Sequence, residues 1–322
     1  MKTMNKLLLI ALAILTFSCE DILEEDITDD LVQTVYPIEA TTVESNVTTF
    51  QWNALNGAKD YRVQVYKDNQ QRVFDTLVAL NSVTLSLVQG TYQWRVRGEN
   101  AGYQSSYSFP ITFKVEQSKD LTEQVVLLSS PVENAATKEN TIALSWEESR
   151  VVDYYKIEVI KVSSGVVVFS EDNVVDNSIT LDNTVIGDEG KYTWRVRAYN
   201  TETDTYTDFY SRNFIVDRTP PGLPQNNEPG NNAMLNASAT LPVTFKWFAP
   251  TTSGTEESPI VSYEIQIAND INFTNNAIVT PVTTNEYSQL FTTIGDRFWR
   301  VKAKDKAGNV GIYGTTYKLT IN

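Results

Sequence analysis

Histidine is missing altogether from this sequence, and cysteine occurs once, at Cys19. The first absence removes the commonest general base, the usual partner of a nucleophilic serine and the commonest transition-metal ligand. The second rules out an intrachain disulfide and any site built from several thiolates, so the folded parts must be stabilised by their cores alone. Long apolar runs are lacking too: the stretch Leu7 to Phe17 is too short to span a bilayer. No EF-hand loop, phosphate-cradling glycine motif or dinucleotide fingerprint occurs. Basic residues are scarce, with 26 Lys and Arg against 40 Asp and Glu and a net charge of -14. Such a chain repels nucleic acid, and none is expected as a partner. Carboxylate pairs of the kind glycosidases use carry no weight here, because among 40 acidic residues some pair falls at any chosen spacing. The stretch DNTVIGDEG offers Asp182, Asp188 and Glu189 to a calcium ion, but it precedes a strand where an ordinary surface loop belongs. We therefore expect no catalytic residues, no metal and no cofactor, and a chain that is not an enzyme.

What is present begins at the amino end. Lys2 and Lys6 precede the apolar run, which reads as an export signal over residues 1–18. Cys19 follows, with Leu15, Thr16, Phe17 and Ser18 before it and Glu20 and Asp21 after it. This arrangement resembles a bacterial lipoprotein signal. The resemblance implies cleavage before Cys19, acylation of its thiol and amino group, and a membrane partner held through lipid, since several acyl chains together anchor stably. Residues 19–33 contain the densest acidic block, EDILEEDITDD, and read as a solvated tether. An acidic run behind the lipidated cysteine also resembles a signal for the outer leaflet of the outer membrane, which implies a surface-exposed location.

The rest of the chain repeats. All six tryptophans fall into three pairs, Trp52 with Trp94, Trp146 with Trp194, and Trp247 with Trp299. The first of each pair ends TFQW, ALSW or TFKW, with Phe50, Leu144 and Phe245 two places earlier and so on the same strand face. Further on come YRVQV, YKIEV and YEIQI, the last after an insertion rich in Thr, Ser and Glu. Their strict alternation predicts half-buried antiparallel strands. The second tryptophan lies in GTYQWRVRG, GKYTWRVRA or GDRFWRVKA, with Gly90, Gly190 or Gly295 where a turn enters the strand. Here Arg95, Arg97, Arg195, Arg197, Arg300 and Lys302 face outward, and Glu158 and Glu264 on the expected neighbouring strand suit cross-strand ion pairing better than ligand binding. The six indoles are assigned to cores, where each buries on the order of 200 Å² and its truncation costs about 3–5 kcal/mol.

A repeat of roughly 100 residues with about seven short strands predicts an immunoglobulin-like sandwich. The YxWRVRA segments, the following turn and the final aromatic strand resemble bacterial fibronectin type III domains. The fold expected is all-β: three tandem fibronectin type III-like sandwiches over 34–117, 124–217 and 225–322. The resemblance assigns Tyr92 and Tyr192 to a tyrosine corner and casts doubt on the corner of the third copy, where Arg297 stands instead. The joining segments EQSKDLTEQ and DRTPPGLPQ read as a flexible and a proline-stiffened linker.

Tyr107, Tyr210 and Tyr313 hold equivalent places before the last strand and read as packing residues. Tyr103 and Tyr206 have no counterparts, fall in the turn between the last two strands, and are the candidate binding residues. The function expected is a non-enzymatic surface lipoprotein acting as a spacer and interaction module, its protein or polysaccharide partner unknown. The alternative is a glycan-binding accessory of an outer-membrane polysaccharide uptake system, where lipoproteins of similar layout occur. A carboxylate hydrolase is the most distant reading.

Overall fold

The computed structural model describes residues 24–238, 240–250 and 258–322. Cys19, the export signal and the Thr/Ser/Glu-rich insertion at 251–257 lie outside them. No described helix is long and apolar enough to cross a membrane. The chain is all-β, and its strands form six sheets that pair into three sandwiches, each with its own hydrophobic core.

In the first sandwich the strands are β1 (Thr34–Tyr36), β2 (Thr41–Val43), β3 (Val47–Trp52), β4 (Asp60–Lys67), β5 (Gln71–Val78), β6 (Ser82–Ser86), β7 (Gly90–Glu99) and β8 (Ile111–Val115). One sheet has the order β1-β3-β6 and the other β2-β8-β7-β4-β5. The second sandwich repeats this with β9 (Leu128–Ser130), β10 (Ala135–Thr137), β11 (Ile142–Trp146), β12 (Tyr154–Lys161), β13 (Val166–Val174), β14 (Ser178–Leu181), β15 (Gly190–Asn200), β16 (Thr205–Tyr206) and β17 (Tyr210–Val216). Its sheets run β14-β11-β9 and β10-β17-β15-β12-β13, with the short β16 paired to β15. The third comprises β18 (Gln225–Glu228), β19 (Ala233–Leu235), β20 (Val243–Phe248), β21 (Ile260–Ala268), β22 (Ile278–Val282), β23 (Glu286–Gln289), β24 (Gly295–Asp305) and β25 (Tyr317–Ile321), in sheets β18-β20-β23 and β19-β25-β24-β21-β22. In every copy a three-residue strand pairs parallel to the last strand, and the remaining ladders described are antiparallel. By contact the second and third sandwiches form one compact unit, and the first forms another.

The alternation read from the sequence is the burial pattern observed. Along β7 the side chains of Tyr92, Trp94 and Val96 are buried, and along β15 those of Tyr192, Trp194, Val196 and Ala198. All six indoles are at most 1% exposed. Phe50 meets the Trp94 ring edge-on at 5.2 Å, Phe245 meets Trp299 at 5.1 Å, and Trp146 meets Tyr155 at 5.2 Å. Edge-to-face geometry of this kind adds to the burial itself. The strand-entry glycines Gly190 and Gly295 have φ of +134° and +123°, a region closed to most side chains.

The segments between repeats differ from expectation. From Glu24 onward the acidic stretch keeps Glu25, Asp26, Asp29 and Asp30 exposed but is pinned to the first sandwich: Ile27 is fully buried, Val32 joins the first core, and Glu24 pairs with Lys59. The linker read as flexible is likewise anchored, because Leu121 and Val126 belong to the second core. The reason is a short motif. Asp26 accepts hydrogen bonds from the amide and hydroxyl of Thr28, and Asp120 does the same from Thr122, which turns the chain and drives the apolar residue between them inward. At Asp217 and Thr219 the turn recurs through the amide alone, with Arg218 in the apolar place.

Candidate functional site

The outer face of each five-stranded sheet collects the outward residues of β4 and β7, β12 and β15, or β21 and β24. Register sets Gln64 opposite Arg95, Glu158 opposite Arg195 and Glu264 opposite Lys302. The expected cross-strand pairing is present. Arg195 donates from Nε to Glu158 at 2.7 Å and Lys302 meets Glu264 at 2.8 Å, while Arg97 pairs within its own strand with Glu99 at 2.7 Å. Arg95 and Arg300 donate instead to the amide oxygens of Gln64 and Gln266, both at 2.9 Å. Burial pushes the Glu264 carboxyl up, but the hydrogen bonds from Lys302 and Tyr313 more than offset it and leave it below the usual carboxylate range.

An aromatic ring covers each cation pair. Tyr107 lies over Arg95 and Arg97 at 4.3 and 4.8 Å, and Tyr313 over Arg300 and Lys302 at 4.2 and 4.7 Å. In the second sandwich the covering ring is Phe209, at 4.4 Å from both Arg195 and Arg197. Tyr210 is therefore not the counterpart of Tyr107 and Tyr313. It opens β17 and stands 39% exposed. The loops before the last strand differ in length by a residue or two, so counting back from that strand misaligned the copies.

The two candidate binding tyrosines separate. Tyr103 is 39% exposed, and its loop is held by the Asn100 side chain, which accepts from the amides of Gly102 and Tyr103. Its ring makes no aromatic or cation contact among the described residues. Tyr206 is 51% exposed, sits over Arg197 at 4.8 Å and tilts against Tyr199 at 5.7 Å. Tyr199 in turn stacks on its cross-strand neighbour Tyr154 at 4.8 Å and 12°. Sequence reasoning missed Tyr154 and Tyr199. The run AYN after WRVR, with tyrosine where the first copy has Glu99 and the third Lys304, was the available signal.

The six indoles are shut inside three separate cores, and Trp94 also borders an open groove. That groove, of about 280 Å³ on the first sandwich, is bordered by Tyr66, Gln70, Gln93, Trp94, Arg95 and Pro110. The loop DNTVIGDEG does not gather its acids: Asp182 accepts from Thr184, Asp188 pairs with Lys161, and Glu189 accepts from Arg218 and Thr219. Among the described residues no three acidic groups converge as a metal cluster.

The fold that these sheets define is an all-β, immunoglobulin-like sandwich in tandem, each copy pairing a three-stranded sheet with a larger one. Among solved structures, the chain is similar to the chicken CNTN1 FN1–FN3 domains, at 12% identity and a TM-score of 0.39, covering 90% of this chain and 97% of that one. No family model matches, and no curated protein does.

Proposed function

We propose that the chain is a non-enzymatic, lipid-anchored module at the cell surface, whose sandwiches space and present a binding face. What carries this reading is the outer sheet faces, where cations, acids and rings are consumed in mutual pairing and one exposed tyrosine cluster is left over. The sequence supplies the anchor in Cys19 and the outward address in the acids behind it. Many carboxylates of the described residues are engaged by structural partners, as Glu158 is by Arg195 and Lys156 and Asp188 is by Lys161. Fatty-acid labelling tests the anchor: the wild type takes up label and Cys19→Ala does not, and equal label in both would end the claim. Protease treatment of intact cells tests the placement, with cleavage expected before lysis and protection counting against the outward face.

The second reading, a glycan-binding accessory of a polysaccharide uptake system, is favoured by the half-exposed Tyr206 ring beside a guanidinium. A purified chain that cleaves chromogenic glycosides would replace both readings with a hydrolase.

A further inference from the structure

Comparison of the three sheet faces isolates one position. Of the six outward cations, Arg95, Arg97, Arg195, Arg300 and Lys302 each find an acceptor on the protein. Arg197 has none among the described residues, and its Nε is enclosed without a hydrogen-bond partner. In the first sandwich the equivalent Arg97 is served by Glu99, whose place in the second sandwich is taken by Tyr199. Arg197 instead contacts the rings of Phe209 at 4.4 Å and Tyr206 at 4.8 Å. A guanidinium in contact with ring faces still carries donors in its own plane, and with Nε enclosed it is the Nη donors of Arg197 that are left for an incoming oxygen. Beside that edge Tyr206 offers half its surface to solvent, backed by the Tyr199–Tyr154 stack that fixes its position.

A flat ring with a planar donor beside it fits a pyranose. The sugar's C–H face packs on the phenol ring, and a hydroxyl oxygen takes the Nη donors of Arg197. The loop that carries Tyr206 also carries the exposed acids Asp204 and Asp208, acceptors for sugar hydroxyl protons. Those acids and the net charge of -14 work against an anionic ligand. An apolar protein partner would meet carboxylates and hydroxyls around a single ring, with no buried core to form. We propose that Tyr206 and Arg197, supported by Tyr199 and Tyr154, form a binding site for an uncharged saccharide. The proposal deepens the interaction-module reading and rests on it.

The test is affinity electrophoresis of the full chain in native gels containing dextran, galactomannan, xyloglucan or mixed-linkage β-glucan, with polygalacturonate as the anionic comparison. The expected result is retardation in at least one neutral gel, lost at least tenfold in Tyr206→Ala and in Arg197→Gln, and kept in Tyr103→Ala. Thermal unfolding of Tyr206→Ala should match the wild type, since the ring is exposed, so loss of retardation cannot be laid to misfolding. Retardation that persists in both variants overturns this site while leaving the module reading standing. Retardation in polygalacturonate alone overturns it in favour of a carboxylate ligand. No retardation in any gel overturns it as well, whereas the module reading falls only if the anchor and surface placement fail too.

Discussion

Tyr92 and Tyr192 donate their hydroxyls to the carbonyls of Val88 and Asp188, four residues earlier, at 2.7 and 2.8 Å. In the third copy Arg297 reaches the same relative position: its Nη2 donates to the carbonyl and hydroxyl of Thr293 at 2.9 and 2.7 Å. The corner that the sequence put in doubt is therefore kept by another side chain of similar reach, with Phe291 stacked on the guanidinium at 5.3 Å. Because a neutral hydrogen bond contributes about 1 kcal/mol and one to a charged donor about 1.5–3, Arg297→Ala should cost more than Tyr192→Phe in urea unfolding. Equal costs would mean the guanidinium only fills space. Burial, with the Asp68 charge added, pushes the Tyr92 phenol up to about 12. A phenol with a raised folded pKa adds stability that is complete below pH 10 and fades as pH climbs toward 12. Alkaline unfolding in that window should be blunted by Tyr92→Phe, and an unchanged pH slope would contradict the assignment.

At the level of strands and turns, the alternating runs were legible because one face is buried and the period is two. The tryptophans announced the three cores for the same reason. What the sequence hid were the pieces that precede each first strand. Asp26-Ile27-Thr28 and Asp120-Leu121-Thr122 each stand 26 residues before their tryptophans, Trp52 and Trp146, yet their surroundings are so acidic or polar that composition outweighed the spacing. A single buried Ile or Leu per segment leaves no periodicity to detect. The Tyr206 cluster was half legible: its lack of a counterpart marked it, but the stack beneath it depends on cross-strand register that no linear pattern displays. The packed turn has a measurable consequence. Ile27→Ala should lower the stability of the first sandwich by about 2–5 kcal/mol, the cost of emptying a buried aliphatic site. A free tether predicts no change in the urea midpoint.

Within the unit made by the second and third sandwiches, the proline-rich segment is a joint rather than a spacer. Asp217, at the end of β17, is 2% exposed, and its carboxylate accepts from the amide and hydroxyl of Ser258 at 2.8 and 2.7 Å and from the amide of Thr219 at 3.1 Å. Asn309 closes the joint, donating to the Asp217 carbonyl at 2.8 Å and to Asp305 at 2.9 Å. Lys306 and Lys138 cross the same boundary to the carbonyls of Asn134 and Gly308. The segment itself lies so close to the third sandwich that a Cβ at Gly311 or Gly314 would come within 2.6 or 2.5 Å of the Pro221 or Pro224 carbonyl. Removing the Asp217 carboxylate strands buried donors, each at about 1–3 kcal/mol, on the junction alone, since neither core touches it. Calorimetry of Asp217→Ala should thus split one shared unfolding transition of these two sandwiches into two. A variant that still unfolds in one step at the wild-type midpoint would show that core contacts, not this buried acid, couple them.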